Sequence, residues 1–191
     1  MRIETRRFKL RNLVISDATE NYLDWINASK KNILRSSKIK NLSDLKNFIK
    51  RVKAKKDINY KHHLITLGKK NVKLLKKSYI EKKIKIIFLA IIDKKNNKHI
   101  GNIKYDPIDT RNNFAIMGVL IGNPNYRGKE VFKEVFLKTS EYMFIKYKIN
   151  NIYLGLKKKN LNALNAYKKL GFKIYKSNKF DFFMKINLSK L

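Results

Sequence analysis

Between residues 84 and 122 the chain carries three strand-like runs in close succession, and this stretch constrains the fold more than any other. IKIIFLAIID leads into KKNN at 94 to 97, and KHIGNIKYDP follows. Runs rich in β-branched and aromatic residues, separated by Asn-rich punctuation, form a hairpin. The third run, FAIMGVLIG at 114 to 122, is apolar on both faces, as a strand in the middle of a sheet must be.

The flanking segments supply the rest of the sheet and its cover. RRFKLRNL at 6 to 13 alternates apolar and basic residues and reads as a half-exposed strand. Behind Ser16, expected as a cap, DATENYLDWINA places Ala18, Tyr22, Trp25 and Ile26 on one helical stripe. Behind Ser43, NLSDLKNFIKRVKAKK does the same with Leu45, Phe48, Ile49 and Val52. Residues 57–83 are Lys-rich, with Val72, Leu74, Leu75, Tyr79 and Ile80 in no clean period. They read as an insertion or mobile loop, either a solvated excursion or a lid. Further on, KEVFKEVFLKTSEYMFIKY predicts a long helix from Lys129 with Val131, Phe132, Val135, Phe136, Thr139 and Met143 inward. NIYLGL at 151 to 156 is a buried strand, NLNALNAYKKL a helix stopped by Gly171, and FKIYK and KFDFFMKI two closing strands. The order is strand, two helices, three strands, helix, strand, helix, two strands. It predicts one α+β domain over residues 1–191 with about seven strands and about four helices.

Composition narrows the function classes. With no cysteine, the chain has no disulfide, no thiolate metal site and no means of holding an acyl group on sulfur. His62, His63 and His99 are too scattered for a zinc cluster, so no metal is expected. The longest apolar stretch, IIFLAII at 86 to 92, is far shorter than the roughly 20 residues that span a bilayer. The opening MRIETRRFKL lacks the apolar centre of a secretory signal, so the cytoplasm is the expected compartment. A net charge of +32 draws polyanions, but 38 of the 46 basic residues are Lys, beside 22 Asn and abundant Ile. Base and phosphate readers favour the bidentate Arg fork, so this composition weighs against nucleic acid as the main partner.

Residues 123 to 135, NPNYRGKEVFKEV, are the chemical signal. A buried strand, a short loop with Gly128 and a helix start make an anion site, because the free N–H groups of the first turn and the positive end of the dipole face the loop. Arg127, Lys129 and Lys133 add positive charge. Glu130 stands where a phosphate would rest. A charge ~4 Å from a phosphate charge costs roughly 4 kcal/mol at an effective dielectric near 20. Its place in a helix's first turn returns only ~0.3–1 kcal/mol. Glu130 is tolerable for folding and weakens anion binding without abolishing it, at a cost that falls if its side chain turns toward Lys133 or solvent.

Four stretches together resemble the GCN5-related N-acetyltransferase superfamily, in the branch of the ribosomal-protein N-terminal and amino-sugar acetyltransferases. They are RFKLRNLVISDATENYLDWIN, FLAIIDKKNNKHIGNIKYDPI, GVLIGNPNYRGK and NLNALNAYKKLGF, and they span nearly the whole chain. The resemblance implies a mixed, mostly antiparallel sheet splayed between its fourth and fifth strands. It implies acetyl-CoA as acyl donor and direct transfer to a primary amine, on an amino-sugar nucleotide or a peptide N-terminus. A small-molecule or peptide amine is thus the implied partner, and a homodimer is compatible.

Residue by residue, the family's pyrophosphate frame (Q/R)xxGx(G/A) falls on Arg127, Gly128, Lys129, Glu130, Val131 and Phe132, with both small positions filled by large residues. Tyr167 matches the family's acid, which reprotonates the departing thiolate; Asn160, seven residues earlier, matches a coenzyme or strand-end contact. A backbone N–H within Val119, Leu120 and Ile121 would polarise the thioester carbonyl. Ile116 stands where many relatives carry a basic Glu, leaving Asp106, Asp109, His99 or a water relay to take the proton. Two other readings stay open: an inactive binding or regulatory protein of the same fold, and an RNA- or ribosome-associated binder.

Overall fold

The computed structural model describes residues 1–29, 39–53 and 60–190. Its elements in chain order are β1 (Arg2–Glu4), β2 (Phe8–Asn12), α1 (Glu20–Ser29), α2 (Leu42–Lys53), α3 (Tyr60–Ile80), β3 (Ile84–Asp93), β4 (His99–Asp109), β5 (Phe114–Ile121), α4 (Val131–Tyr147), β6 (Asn151–Lys157), α5 (Leu161–Lys169), β7 (Lys173–Ser177) and β8 (Asp181–Asn187). The eight strands form one sheet in the order β1-β2-β3-β4-β5-β6-β8-β7. Every neighbouring pair is antiparallel except β5 and β6. The architecture is the expected mixed α+β one, with β1 an added edge strand. The fourth and fifth strands of the sequence reading are therefore β5 and β6.

Strand alternation sends successive side chains to opposite faces. On one face Leu10, Leu89, Ile91, Ile103, Tyr105 and Met117 pack under α4 and α5 with Val135, Phe136, Met143 and Leu164. The Tyr105 hydroxyl meets Thr139 Oγ1 at 2.8 Å, so this buried hydroxyl pair is satisfied internally. On the other face, Ala90 and Ile92 pack with Tyr22, Leu23 and Ile26 of α1 and Leu45 and Ile49 of α2. Phe114 and Ile116 pack instead with Leu67, Val72 and Leu75 of α3. Helices thus lie on both faces of the sheet, as the doubly apolar FAIMGVLIG run requires.

Three local expectations are corrected. Residues 57–83 are not a loop over their described length: Tyr60–Ile80 is a helix of 21 residues. Its inward stripe runs Leu67, Asn71, Val72, Leu75, Ser78, with two polar residues interrupting the apolar spacing, while Leu74, Tyr79 and Ile80 face outward. Ser78 and Asn71 satisfy themselves on the carbonyls one turn back, Leu74 and Leu67, which lets polar side chains sit on a buried stripe. The helix caps also lie elsewhere. Thr19, not Ser16, accepts the Tyr22 N–H, and Asn41, not Ser43, accepts the Asp44 N–H. The long helix begins at Val131 rather than Lys129, because Glu130 holds a left-handed conformation at its N-cap.

Candidate active site

Two strands part at the centre of the sheet. β5 and β6 pair only through Phe114–Asn151, Ala115–Ile152 and Ile116–Tyr153. Beyond this point β6 stays bonded to β8 and β5 to β4. Residues 114–117 of β5 are buried, and 118–121 are half-buried. The direction of the free backbone groups follows from the ladder. Gly122 N–H donates to the Ile100 carbonyl at 3.0 Å, and Gly101 pairs with Ile121, so even-numbered residues of this stretch direct their backbone groups to β4. Odd-numbered residues point away, toward the departed β6. Arg127 Nε reaching the Ile121 carbonyl at 3.2 Å agrees with this. The amides of Val119 and Ile121 therefore open into the split. Leu120, counted with them on sequence grounds, is corrected: its amide is committed to the ladder, and its side chain packs toward α1 and α2.

The loop after β5 is fastened on three sides. Trp25 lies against Gly122 so closely that a Cβ there would meet its ring at 2.1 Å. Tyr126 bonds through its hydroxyl to Asp93, and Asn96 Nδ2 donates to that hydroxyl at 3.1 Å. Arg7 donates to Glu134 Oε2 at 2.6 Å and to the Lys129 carbonyl at 2.9 Å, tying the start of α4 to the turn before β2. Thr5 and the Arg7 amide hold the other Glu134 oxygen at 2.6 and 2.7 Å. Burial pushes the Glu134 carboxyl up, but these hydrogen bonds outweigh it and hold its pKa below the ordinary value. Tyr126, Arg7, Trp25 and Glu134 were not singled out as site residues from the sequence. Only Glu134 left a signal, an acid in the first turn of a helix.

Gly128, at φ +72, and Glu130, at φ +55, are both left-handed. That region is open to glycine and costs other residues roughly 1–2 kcal/mol. Glu130 thus takes a backbone shape that glycine adopts without strain. Its side chain is 71% exposed and its Oε1 accepts from Lys133 Nζ at 3.3 Å, away from the amides. Among the described residues the N–H groups of Gly128, Lys129, Glu130, Val131, Phe132 and Lys133 donate to no backbone carbonyl. This run of free donors at a helix start, with Lys129 and Arg127 beside it, is an anion cradle.

Tyr167 of α5 packs edge-on to Phe132 at 5.1 Å and against Phe172 at 5.6 Å. Phe132 turns inward onto Phe136 as well, so its bulk lies off the cradle. Tyr167 is 8% exposed. Burial pushes its pKa well above the ordinary phenol value, so it stays a proton donor through the neutral range. Asn160 caps α5, its Oδ1 accepting the Ala163 N–H at 3.3 Å.

The structure does not bring His99 and Asp109 to the split. His99 is enclosed by Tyr22 and Trp25, each 5.4 Å away ring to ring, and bonds to Gly101 and Asn102. Burial lowers its pKa more than Asp17 raises it, so it is neutral. Asp109 accepts from the amides of Arg111 and Asn112 and closes the β4–β5 turn. Ile116 sits in the core with α3.

A parted parallel pair with free amides, a run of free donors at the next helix and a buried phenol packed on that helix's first turn suit a phosphate-bearing carrier of a transferable group. Residues 7–173 match the model of the acetyltransferase (GNAT) domain, and the chain belongs to that family. Its members are acetyltransferases that use acetyl-CoA. Solved structures share the fold. A GNAT-family acetyltransferase from Bacillus anthracis has 16% identity and TM-score 0.70, covering 99% of both chains. The Salmonella typhimurium enzyme that modifies the N-terminal serine of ribosomal protein L7/L12 has 10% identity and TM-score 0.68, covering 98% of this chain and 99% of its own. The spermidine/spermine N-acetyltransferase of Vibrio cholerae has 16% identity and TM-score 0.64, covering 96% and 95%. No curated protein matches the sequence significantly. Among the described residues no helix is long and apolar enough to cross a membrane.

Proposed function

We propose that this acetyltransferase moves the acetyl group of acetyl-CoA directly to a primary amine, on an amino-sugar nucleotide or a peptide N-terminus. Tyr167 is the acid in this reading. The observation that carries it is the buried Tyr167 ring edge-on to Phe132, at the helix start that carries the free amides. The amides from Gly128 to Phe132 hold the pyrophosphate, with Arg127 bracing the end of β5 and Lys129 adding charge. The amides of Val119 and Ile121 bind along the coenzyme's arm and polarise the thioester carbonyl. The acceptor nitrogen attacks that carbon, the C–S bond breaks, Tyr167 gives its proton to the leaving thiolate, and the proton shed by the nitrogen returns through water to the Tyr167 phenolate. Asn160 fixes the start of α5 and so the position of Tyr167.

Calorimetric titration with acetyl-CoA tests the coenzyme half of this reading. Saturable binding in the micromolar range is expected; no heat at millimolar ligand would leave an inactive relative of the same fold.

A further inference from the structure

The end of helix α5 sets one side of Tyr167. Gly171 is left-handed at φ +91, its N–H donates to the Lys168 carbonyl at 3.0 Å, and the Phe172 N–H donates to the Tyr167 carbonyl at 3.1 Å. This paired bonding is how a glycine closes a helix, and it folds the residue after the glycine back onto the last turn. Here it lays Phe172 against Tyr167, with ring centroids 5.6 Å apart. The helix ending alone accounts for that contact.

The other side comes from a different element. Phe132, in the first turn of α4, stands at 88° to the Tyr167 ring with centroids 5.1 Å apart. One turn on, Phe136 lies 5.6 Å from Phe132 and 5.2 Å from Phe172. The four rings close a cycle: Phe132 on Tyr167, Tyr167 on Phe172, Phe172 on Phe136, Phe136 on Phe132. Tyr167, Phe136 and Phe172 are buried, and Phe132 is half-buried. Rings packed edge to face and tilted in a closed cycle leave Tyr167 few rotamers. Without Phe132 the cycle opens at the start of α4.

Phe132 has a second attachment. Its N–H is one of the free donors at that helix start, so its backbone belongs to the anion cradle and its side chain to the packing of the phenol. Substitution separates the two, because every replacement except proline keeps the amide.

Building on the acetyltransferase reading above, in which Tyr167 is the acid, we propose that Phe132 is a positioning residue: its ring holds the Tyr167 phenol in place while its amide helps to seat the coenzyme. The Phe132 side chain thereby governs turnover and leaves coenzyme affinity alone. A ring that was only bulk beside the cradle would do the opposite, and its removal would ease coenzyme binding with turnover intact.

The test measures thiol release and acetyl-CoA affinity in the wild type, Phe132→Ala, Phe132→Leu, Phe132→Tyr, Tyr167→Phe and the double variant Phe132→Ala with Tyr167→Phe, with circular dichroism reporting folding. Acceptors are a serine-started peptide, an amino-sugar nucleotide and hydroxylamine, a small amine nucleophile. Phe132→Ala is expected to lower kcat about tenfold and to keep acetyl-CoA affinity within about threefold, because a slightly displaced reacting group costs rate before binding. Phe132→Leu, which fills space without a ring face, should lower kcat by a few-fold, and Phe132→Tyr should retain most of it. In the Tyr167→Phe background the alanine substitution should remove little more, since residues that act through one group are non-additive. Wild-type turnover in Phe132→Ala overturns the inference. So does a loss of affinity in place of kcat, or an equal fold loss with and without the Tyr167 hydroxyl. Should Phe132→Ala fail to fold, Phe132→Leu replaces it in both backgrounds, and wild-type turnover there overturns the inference. Full turnover in Tyr167→Phe instead removes the acid reading beneath it, and no thiol release by the wild type with any of the three acceptors removes the transfer reading as well.

Discussion

The two halves of β5 differ in one respect, and the candidate site follows from it. Phe114 and Ala115 have a ladder partner on both sides, β4 and β6, Ile116 pairs with β6 across from a bulge in β4, and all three are buried. Residues 118–121 keep β4 alone, stay half-buried, and turn two amides to open space. The same run of apolar residues thus acts first as core and then as a binding edge. Withdrawing a neighbouring strand exposes main-chain donors without placing any polar side chain in the sheet. Backbone donors so presented are fixed by the ladder on their far side, which is the preorganisation that charge stabilisation in a reaction requires.

Substitutions on either side of the split sharpen this contrast. Ile152, fully buried where β6 still pairs with β5, is a core position: Ile152→Ala is expected to cost about 2–5 kcal/mol of stability in denaturant unfolding. A loss below ~1 kcal/mol would mean the paired half is not the rigid part. At the open half the largest effect should be on rate. Tyr167→Phe is expected to lower kcat about 100-fold with acetyl-CoA affinity nearly unchanged, and equal turnover in both forms rejects its acid role.

Effects at the cradle should be smaller. Glu134→Gln loosens the tie to Arg7 and is expected to weaken acetyl-CoA binding by roughly threefold to tenfold, the worth of about one hydrogen bond. Its pH signature has a fixed sign. The folded pKa of Glu134 is lowered, so its contribution is full above the unfolded value, near ~4.3, and fades as pH falls through the folded one. The stability gap between wild type and Glu134→Gln should therefore close on acidification below about pH 4; a gap that widens contradicts the tie. The smallest effect belongs to Glu130→Gly. It removes a left-handed non-glycine residue and a carboxylate that already faces Lys133, so coenzyme binding should tighten only a few-fold. Unchanged or weaker binding would refute the account of the loop.

Much of this was legible in the residues because period and punctuation agree there: the hairpin at 84–109, the doubly apolar β5 and the Gly128 loop all emerged near their observed places. The resemblance pointed to Tyr167 and the Glu130 frame. What stayed hidden has physical reasons. Helix α3 carries Asn71 and Ser78 on its inward stripe, so hydrophobic spacing could not report it. The clamp of Arg7 on Glu134 joins residues 127 apart in sequence, and Trp25 lies on a glycine whose lack of a side chain gives no hint of what covers it. Which amides of β5 are free depends on ladder parity, which needs the register.

The central claim is that acetyl-CoA lies along the open half of β5 and ends in the cradle before α4. Amide hydrogen exchange read residue by residue, with and without saturating acetyl-CoA, tests it most directly. Slowed exchange at Val119, Ile121 and Gly128 through Phe132, with Leu120 changing little, is the expected result. Bound coenzyme that leaves those amides exchanging as before would contradict it.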